Sequence, residues 1–406
     1  MFYQRHAERA IKNCAKWFPT VLVTGARQVG KSTLLQHCLK DVKYVSLDDG
    51  LALNAITQNA YGFLTSQGTP VIYDEIQQAG SAFRTIKLLI DRDKHPGMFY
   101  LTGSQKYVLM KNLSDSLAGR IAILELFGLS NRELDGDDYF HAFMPTEDYL
   151  KNRNTKIKLS NATLWQRIQR GSYPELWEKP DLPLEIFYET YLQTYLERDV
   201  RQLSQVGDLI AFRNFMVILA ARIGGLLNLT AVARDAEIDV KTAKRWLSIL
   251  EAGNVIYLLQ PFSMNATKRV TRTPKLYFCD TGLVCYLTRW ITSEVAESGA
   301  QAGALFENYV IMEILKSYYN AGERADVYFY RDSYGHEIDI LFFRNNTFYP
   351  VEIKKTASPN IKDVKNFQLL KEYFPTVNIG EGGIICTYDQ LLQLNSTASI
   401  IPVEYI

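Results

Sequence analysis

Apolar positions change their period along this chain, and the changes mark out its elements. Over residues 1–18 they recur at helical spacing, with Ala7, Ala10, Ile11, Cys14 and Trp17 on one side, and Pro19 ends the run. An unbroken apolar run from Val21 then predicts a buried strand. Further short strands are expected at 43–47, 69–73, 98–102 and 121–126, with helical stretches between them. Such alternation predicts an α/β unit, a parallel sheet with helices on both faces and ligands gathered at the carboxyl ends of its strands.

From Phe127 to about residue 160 the pattern turns polar and irregular and reads as a mobile connection. Helical periodicity resumes at Leu164. Within Y-L-Q-T-Y-L-E-R-D-V-R-Q-L it stacks Tyr191, Leu192, Tyr195, Leu196 and Leu203, leaving Arg198, Asp199 and Arg201 solvated or paired, as expected of a helical lid. Two short helices follow: A-V-A-R-D-A, with Thr230 as its cap, and V-K-T-A-K-R-W-L-S-I-L-E-A, capped by Asp239 and stopped at Gly253. With strands expected at 255–259 and 276–279, they outline a winged helix-turn-helix.

A helix over 305–319 opens the last unit. Two apolar strands then flank Asn345-Asn346, a pair that tolerates the left-handed conformation of a tight hairpin. That turn makes Asp339 face Glu352 and Glu337 face Lys354. Pro350 donates no ladder bond and marks a place where a bulge would shift the pairing. The expected organisation is a nucleotide core over 1–135, a helical lid or connection over 136–225, a winged helix over 226–290 and a final α/β unit over 291–406.

Whole-chain composition narrows the class. At 406 residues the chain exceeds one ordinary core. Its 45 Lys and Arg against 44 Asp and Glu exclude a globally basic DNA-coating protein, so charge has to be read locally. Five widely spaced cysteines without a C-x-x-C pair indicate neither a disulfide framework nor a zinc site, and point to reducing cytoplasm. No apolar run approaches the ~18 residues needed to span a bilayer, so no membrane partner is expected.

Chemistry concentrates first at the end of the leading strand. Gly25, Ala26, Arg27, Gln28, Val29, Gly30, Lys31 and Ser32 fit G-x-x-x-x-G-K-[ST], with Thr33 in the helix that follows beside the anion; backbone amides curl around a phosphate, Lys31 reaches the outer phosphates and Ser32 holds Mg²⁺. V-I-Y-D-E supplies Asp74 for the Mg²⁺ shell and Glu75 to orient or deprotonate water. L-T-G-S-Q places Ser104 or Gln105 as a γ-phosphate sensor. Arg120 is the candidate, by chain order, for the arginine that stabilises the transferring phosphoryl group, often in a neighbouring subunit. No N-K-x-D motif specifies guanine, which favours ATP.

Two further patterns stand apart. Residues 229–276 hold eight Lys or Arg against four Asp or Glu. Lys241, Lys244 and Arg245 fall early in the second short helix, and Lys268, Arg269, Arg272 and Lys275 on the expected wing, a candidate DNA-contacting set. In the final hairpin, carboxylates of Asp339 and Glu352 opposite one another would repel unless a cation or proton lay between them. With Glu307 on the preceding helix and Lys354 beside Glu352, they form a candidate Mg²⁺-dependent phosphodiesterase site. E-x-K alone occurs about once per chain of this length and carries no weight without the hairpin. His336 reads as a turn residue.

Taken in order, G-A-R-Q-V-G-K-S-T, V-I-Y-D-E-I-Q, L-T-G-S-Q, S-L-A-G-R, Y-L-E-R-D-V and the E-I-D … V-E-I-K pair resemble the prokaryotic AAA-superfamily ATPases that carry a C-terminal domain of unknown function related to PD-(D/E)xK nucleases. The resemblance covers nearly the whole chain. It implies an AAA-type P-loop core, a winged-helix segment, a restriction-endonuclease-like end and assembly into a homo-oligomer such as a ring. The expected function is a Mg²⁺-dependent ATPase coupling ATP to DNA binding or processing. The rival is a nucleotide-gated signalling or scaffold protein whose nuclease-like domain binds without cutting.

Overall fold

The computed structural model describes residues 2–104, 109, 117–153, 155, 157–195, 209–264 and 273–406. Five strands, β1 (Thr20–Thr24), β2 (Lys43–Ser46), β3 (Val71–Asp74), β4 (Phe99–Gly103) and β5 (Ile121–Glu125), form a parallel sheet in the order β2-β3-β4-β1-β5. Central β1 is buried along its whole length. Its alternate residues face two cores: Val21 and Val23 pack with Leu34 and Leu35, while Leu22 packs on the other face with Phe83 and Ile86. Helices therefore cover both faces, as the unbroken apolar run required. Every strand of this sheet ends on the same edge, where Thr24, Ser46, Asp74 and Gly103 deliver the next residues.

The first helix is shorter than expected, Ala7–Cys14. Ala7, Ala10 and Ile11 are buried, but Trp17 lies past the helix end and is 80% exposed, so it is no part of the apolar face. Residues 127–160 also depart from expectation. Instead of a loose connection they contain helices Asn131–Leu134 and Glu147–Arg153, and Asn131, Arg132 and Glu133 are buried. Their polar atoms are satisfied by distant parts of the chain. Arg132 donates to the carbonyl of Ile406 at 2.8 Å, and Glu313, on a later helix, accepts from the Asn131 amide at 2.8 Å.

Helices Leu209–Ala220, Leu229–Asp235 and Val240–Ala252 lead into an antiparallel pair, β6 (Ile256–Leu259) and β7 (Lys275–Phe278). The expected Thr230 cap is displaced by Asn228, whose side chain accepts from the Ala231 amide; Asp239 caps the next helix through the Thr242 amide. Arg198, Asp199, Arg201, Leu196 and Leu203 lie outside the described residues.

The final unit starts with helix Ala302–Ala321, buried on nearly every side. A mixed sheet follows, ordered β13-β14-β12-β10-β9-β8, with β11 against β10. Its strands are β8 (Val327–Arg331), β9 (Glu337–Arg344), β10 (Thr347–Lys354), β11 (Asn378–Ile379), β12 (Gly382–Cys386), β13 (Leu392–Gln393) and β14 (Ala398–Pro402). The β9–β10 turn is Asn345-Asn346, at φ 49° and 55°, the geometry a two-residue hairpin of this hand needs. Pairing runs unshifted from Arg344↔Thr347 to Ile340↔Val351, with Pro350 opposite Leu341 and no bulge.

Candidate active site

The phosphate loop leaves β1 at Thr24. Gly25 has no room for a side chain: a Cβ there would lie 2.1 Å from the Leu126 carbonyl oxygen. Gly30, at φ 90°, opens helix Lys31–Cys38, which has no side-chain cap, so its first amides point into the loop. Lys31 is buried and its Nζ donates to the carbonyls of Gly25, at 3.1 Å, and Ala26, at 2.7 Å. An ammonium and a helix N-terminus thus converge on one concave turn, an arrangement suited to an anion.

Asp74 closes the opposite side. Its Oδ1 accepts from Ser32 Oγ at 2.6 Å and from the Thr102 hydroxyl, and its Oδ2 accepts from Tyr44 at 2.7 Å. Burial, and then the Asp74 carboxylate, push the Tyr44 phenol well up. A serine hydroxyl beside a carboxylate is a hard-oxygen pair that suits Mg²⁺. Glu75 follows at φ 55°, a left-handed conformation uncommon outside glycine and asparagine. Its amide donates to Thr102 at 3.2 Å, and its Oε2 accepts from Ser104 Oγ at 3.3 Å and from the Gln77 amide. Thr102 therefore orients both acids, a role absent from the motif reading although the residue stands inside L-T-G-S-Q. Tyr44 was legible only through its place on the strand beside β3.

A cavity of about 530 Å³ opens over this loop, within the range of ligand pockets. Arg27, Lys31 and Glu75 form its floor, and Pro174, Lys179 and Thr194 reach across from the helical segment, which so acts as a wall of the site. Arg5 lines it too and holds the loop from behind, donating to the Val29 carbonyl at 2.9 Å and the Phe127 carbonyl at 2.8 Å while pairing with Glu133 at 3.0 Å. Burial alone would raise Glu133, but Arg5, His6 and the amides of Ser130 and His6 hold its carboxyl below the usual range. No sequence motif announces Arg5.

Arg120 does not join this site within its own chain. Its carbonyl accepts from the Thr20 amide, at the start of β1, a strand length of roughly 13 Å from the phosphate loop, and its guanidinium pairs with Asp91 at 2.7 Å. Gln105 lies outside the described residues.

The second candidate constellation differs from expectation in its central member. Lys275, expected on a DNA-facing wing, has a side chain only 3% exposed. Its ammonium sits among carboxylates, 3.0 Å from Glu307, 3.8 Å from Asp339 and in contact with Glu337. Tyr277, two residues along β7, donates to Glu307 at 2.5 Å. Glu337 turns to Lys275 and Arg331 instead of facing Lys354. Lys354 bridges Glu352 at 2.7 Å and Asp339 at 3.2 Å, and the Ile353 amide donates to Asp339 at 2.9 Å. Burial would raise Asp339, yet Lys354 and Lys275 hold it below the usual range. Burial and then Asp339 push Glu352 up to about 9.

Glu307, Asp339 and Glu352 do not fit a divalent metal as they stand. An ammonium occupies the space between the first two, and among the described residues no three carboxylates, histidines or cysteines are placed to share an ion. The pairing of Glu307 with Lys275 and Tyr277 also accounts for its burial without a metal. His336 holds Asp332 at 2.7 Å, as a turn residue would.

Lys241, Lys244 and Arg245 are exposed on helix Val240–Ala252. Lys268, Arg269 and Arg272 lie outside the described residues. No described helix is long and apolar enough to cross a membrane.

Residues 18–135 match the AAA domain family, a span that covers the five-stranded sheet, the phosphate loop and both acids. Residues 161–294 and 302–406 match two domains of unknown function, DUF8612 and DUF4143. An uncharacterized protein of Mycobacterium tuberculosis is 26% identical over 405 residues, 99% of this chain and 84% of the relative. Another, of Methanocaldococcus jannaschii, is 23% identical over 351 residues, 80% and 72% of the two chains. Among solved structures, a Walker-type ATPase of Pyrococcus abyssi overlays with a TM-score of 0.41 at 14% identity, covering 70% of this chain and 96% of that one. AMPPCP-bound DnaA from Aquifex aeolicus overlays with a TM-score of 0.29 at 14% identity, covering 60% and 85%.

Proposed function

We propose that this chain, whose residues 18–135 form an AAA-type P-loop ATPase domain, hydrolyses ATP with Mg²⁺ and uses the cycle to govern DNA binding by its later segments. The observation that carries the reading is the convergence of Lys31, Ser32, Asp74 and Glu75 at one edge of the sheet. In this reading the loop amides and Lys31 grip the outer phosphates, and Ser32 and Asp74 hold the metal. Bound Mg²⁺ supplies charge neutralisation at the phosphoryl oxygens. Glu75, fixed by Thr102, Ser104 and Gln77, orients the attacking water and takes its proton. Arg120, partly exposed and remote from its own loop, is the candidate for completing a neighbour's site in a homo-oligomer.

Lys241, Lys244 and Arg245 are the proposed DNA contacts, supported by their exposure on the second of two capped helices. Division into units at 1–135, 136–225, 226–290 and 291–406 belongs to the same proposal. A cytoplasmic setting is supported by five widely spaced cysteines, none of them paired with another. The test is ATP turnover by wild type and Lys31→Ala, with and without duplex DNA. Unchanged turnover in the variant refutes the ATPase half, and a DNA-insensitive rate with no salt-sensitive binding refutes the DNA half.

One observation favours the rival reading of the last unit, a nuclease-like module that binds without cutting: lysines, not open ligand positions, fill its carboxylate cluster. Metal-dependent cleavage of single-stranded, duplex or branched DNA that Asp339→Ala abolishes would reject it.

A further inference from the structure

Lys275 belongs to β7, yet every acidic group it touches belongs to the final unit: Glu307 on the helix Ala302–Ala321, and Glu337 and Asp339 on β9. Lys354 and Arg331 supply the remaining positive charge, the first to Asp339 and Glu352 and the second to Glu337. Three carboxylates and the carboxyl of Glu352 thus meet two ammonium groups and one guanidinium, with the buried Lys275 ammonium innermost. A divalent ion sharing Glu307 or Asp339 would face an ammonium already within 4 Å of both, and that repulsion is strong at low dielectric.

We propose that Lys275 stands where a nuclease of this outline would keep its metal, so that the cluster is an ammonium–carboxylate joint fastening the β6–β7 hairpin to the final sheet and closing that site to divalent cations. The helix-turn-helix and the nuclease-like unit are then held in one geometry by charge, and the unit is inert toward metal while the hairpin is docked. The inference does not rest on the ATPase reading.

Two measurements on the full chain test it. First, wild type and Asp339→Asn are titrated with MnCl₂ by calorimetry. The joint requires the two isotherms to agree, because any ion at the nucleotide site is common to both; a binding site present in wild type and lost in the variant overturns it. This comparison needs no Lys275 variant, so it stands even if Lys275→Met does not fold. Second, melting temperatures are compared for Lys275→Met, Glu307→Gln and the double variant. Each single change is expected to lower the melting temperature, and Glu307→Gln is expected to restore part of the loss in the Lys275→Met background. If Glu307→Gln shifts the melting temperature equally in both backgrounds, the two residues are not coupled and the joint is refuted.

Discussion

Ser32 Oγ donates to Asp74 Oδ1 at 2.6 Å, which joins the first turn of the helix after the phosphate loop to the last residue of β3. Sheet order makes the contact possible: β4 lies between β1 and β3, and Thr102 from β4 bonds the same carboxylate. The oxygen pair proposed to hold the metal and the glutamate proposed to activate water are thereby fixed by three strands instead of by a loop. Lys31→Ala should lower kcat for ATP by at least ~10²-fold, the scale lost when a charge-stabilising donor is removed. Turnover by phosphate release is the measurement.

Glu75 is held by its backbone conformation and by Thr102, Ser104 and Gln77, all on its own side of the loop. Glu75→Gln should keep nucleotide binding within a few fold while kcat falls by ~10²–10⁴. Binding of a fluorescent ATP analogue beside turnover separates the two. A variant that loses both in parallel would make Glu75 a structural residue.

Arg5→Met would leave Glu133, whose side chain is wholly buried, without its cation. The expected loss of stability is about 3–5 kcal/mol, as for other buried pairs broken on one side. Urea unfolding reads it. Nucleotide affinity should fall as well, because the Val29 carbonyl is released.

Removing Lys241, Lys244 or Arg245 should weaken DNA binding equally across sequences and reduce the slope of log K against log salt by about 0.9 for each phosphate no longer neutralised. ATP turnover without DNA should not change. Fluorescence anisotropy across a salt series decides it, and an unchanged slope removes the helix from the interface.

Glu352 gives a pH dependence of definite sign. Its carboxyl is pushed from 4.5 up to about 9 by burial and by Asp339. Between those values the unfolded chain has released a proton that the folded chain keeps, so this group's contribution to stability declines as pH rises through the window. Glu352→Gln removes that decline. Its melting temperature should gain on wild type steadily from pH 5 to pH 9, and a margin independent of pH would contradict the assignment.

Some of this protein was settled by short stretches of chain. The phosphate loop is legible because Gly25 and Gly30 serve backbone needs that few other residues meet. The β9–β10 hairpin is legible because Asn345 and Asn346 both adopt positive φ, which fixes the pairing up to Ile340↔Val351. The alternation of apolar runs set the five parallel strands to within a residue or two, most plainly β1, β3 and β4, since a strand buried on both faces has no polar face to disguise it. Those features depend on neighbours in sequence, and their physics is local.

What charge does was not local. Lys275 looked like one of four basic residues on a DNA-facing wing, but folding encloses it among Glu307, Glu337 and Asp339. Residues 127–160 looked like a linker because they are polar, yet Arg132 and Glu133 are buried against Ile406 and Arg5, 274 and 128 positions away. A polar side chain reads as exposed in a sequence because desolvating it is costly; only the tertiary structure supplies the distant partner that offsets that cost, and so only the tertiary structure decided which charges face water and which hold the units together.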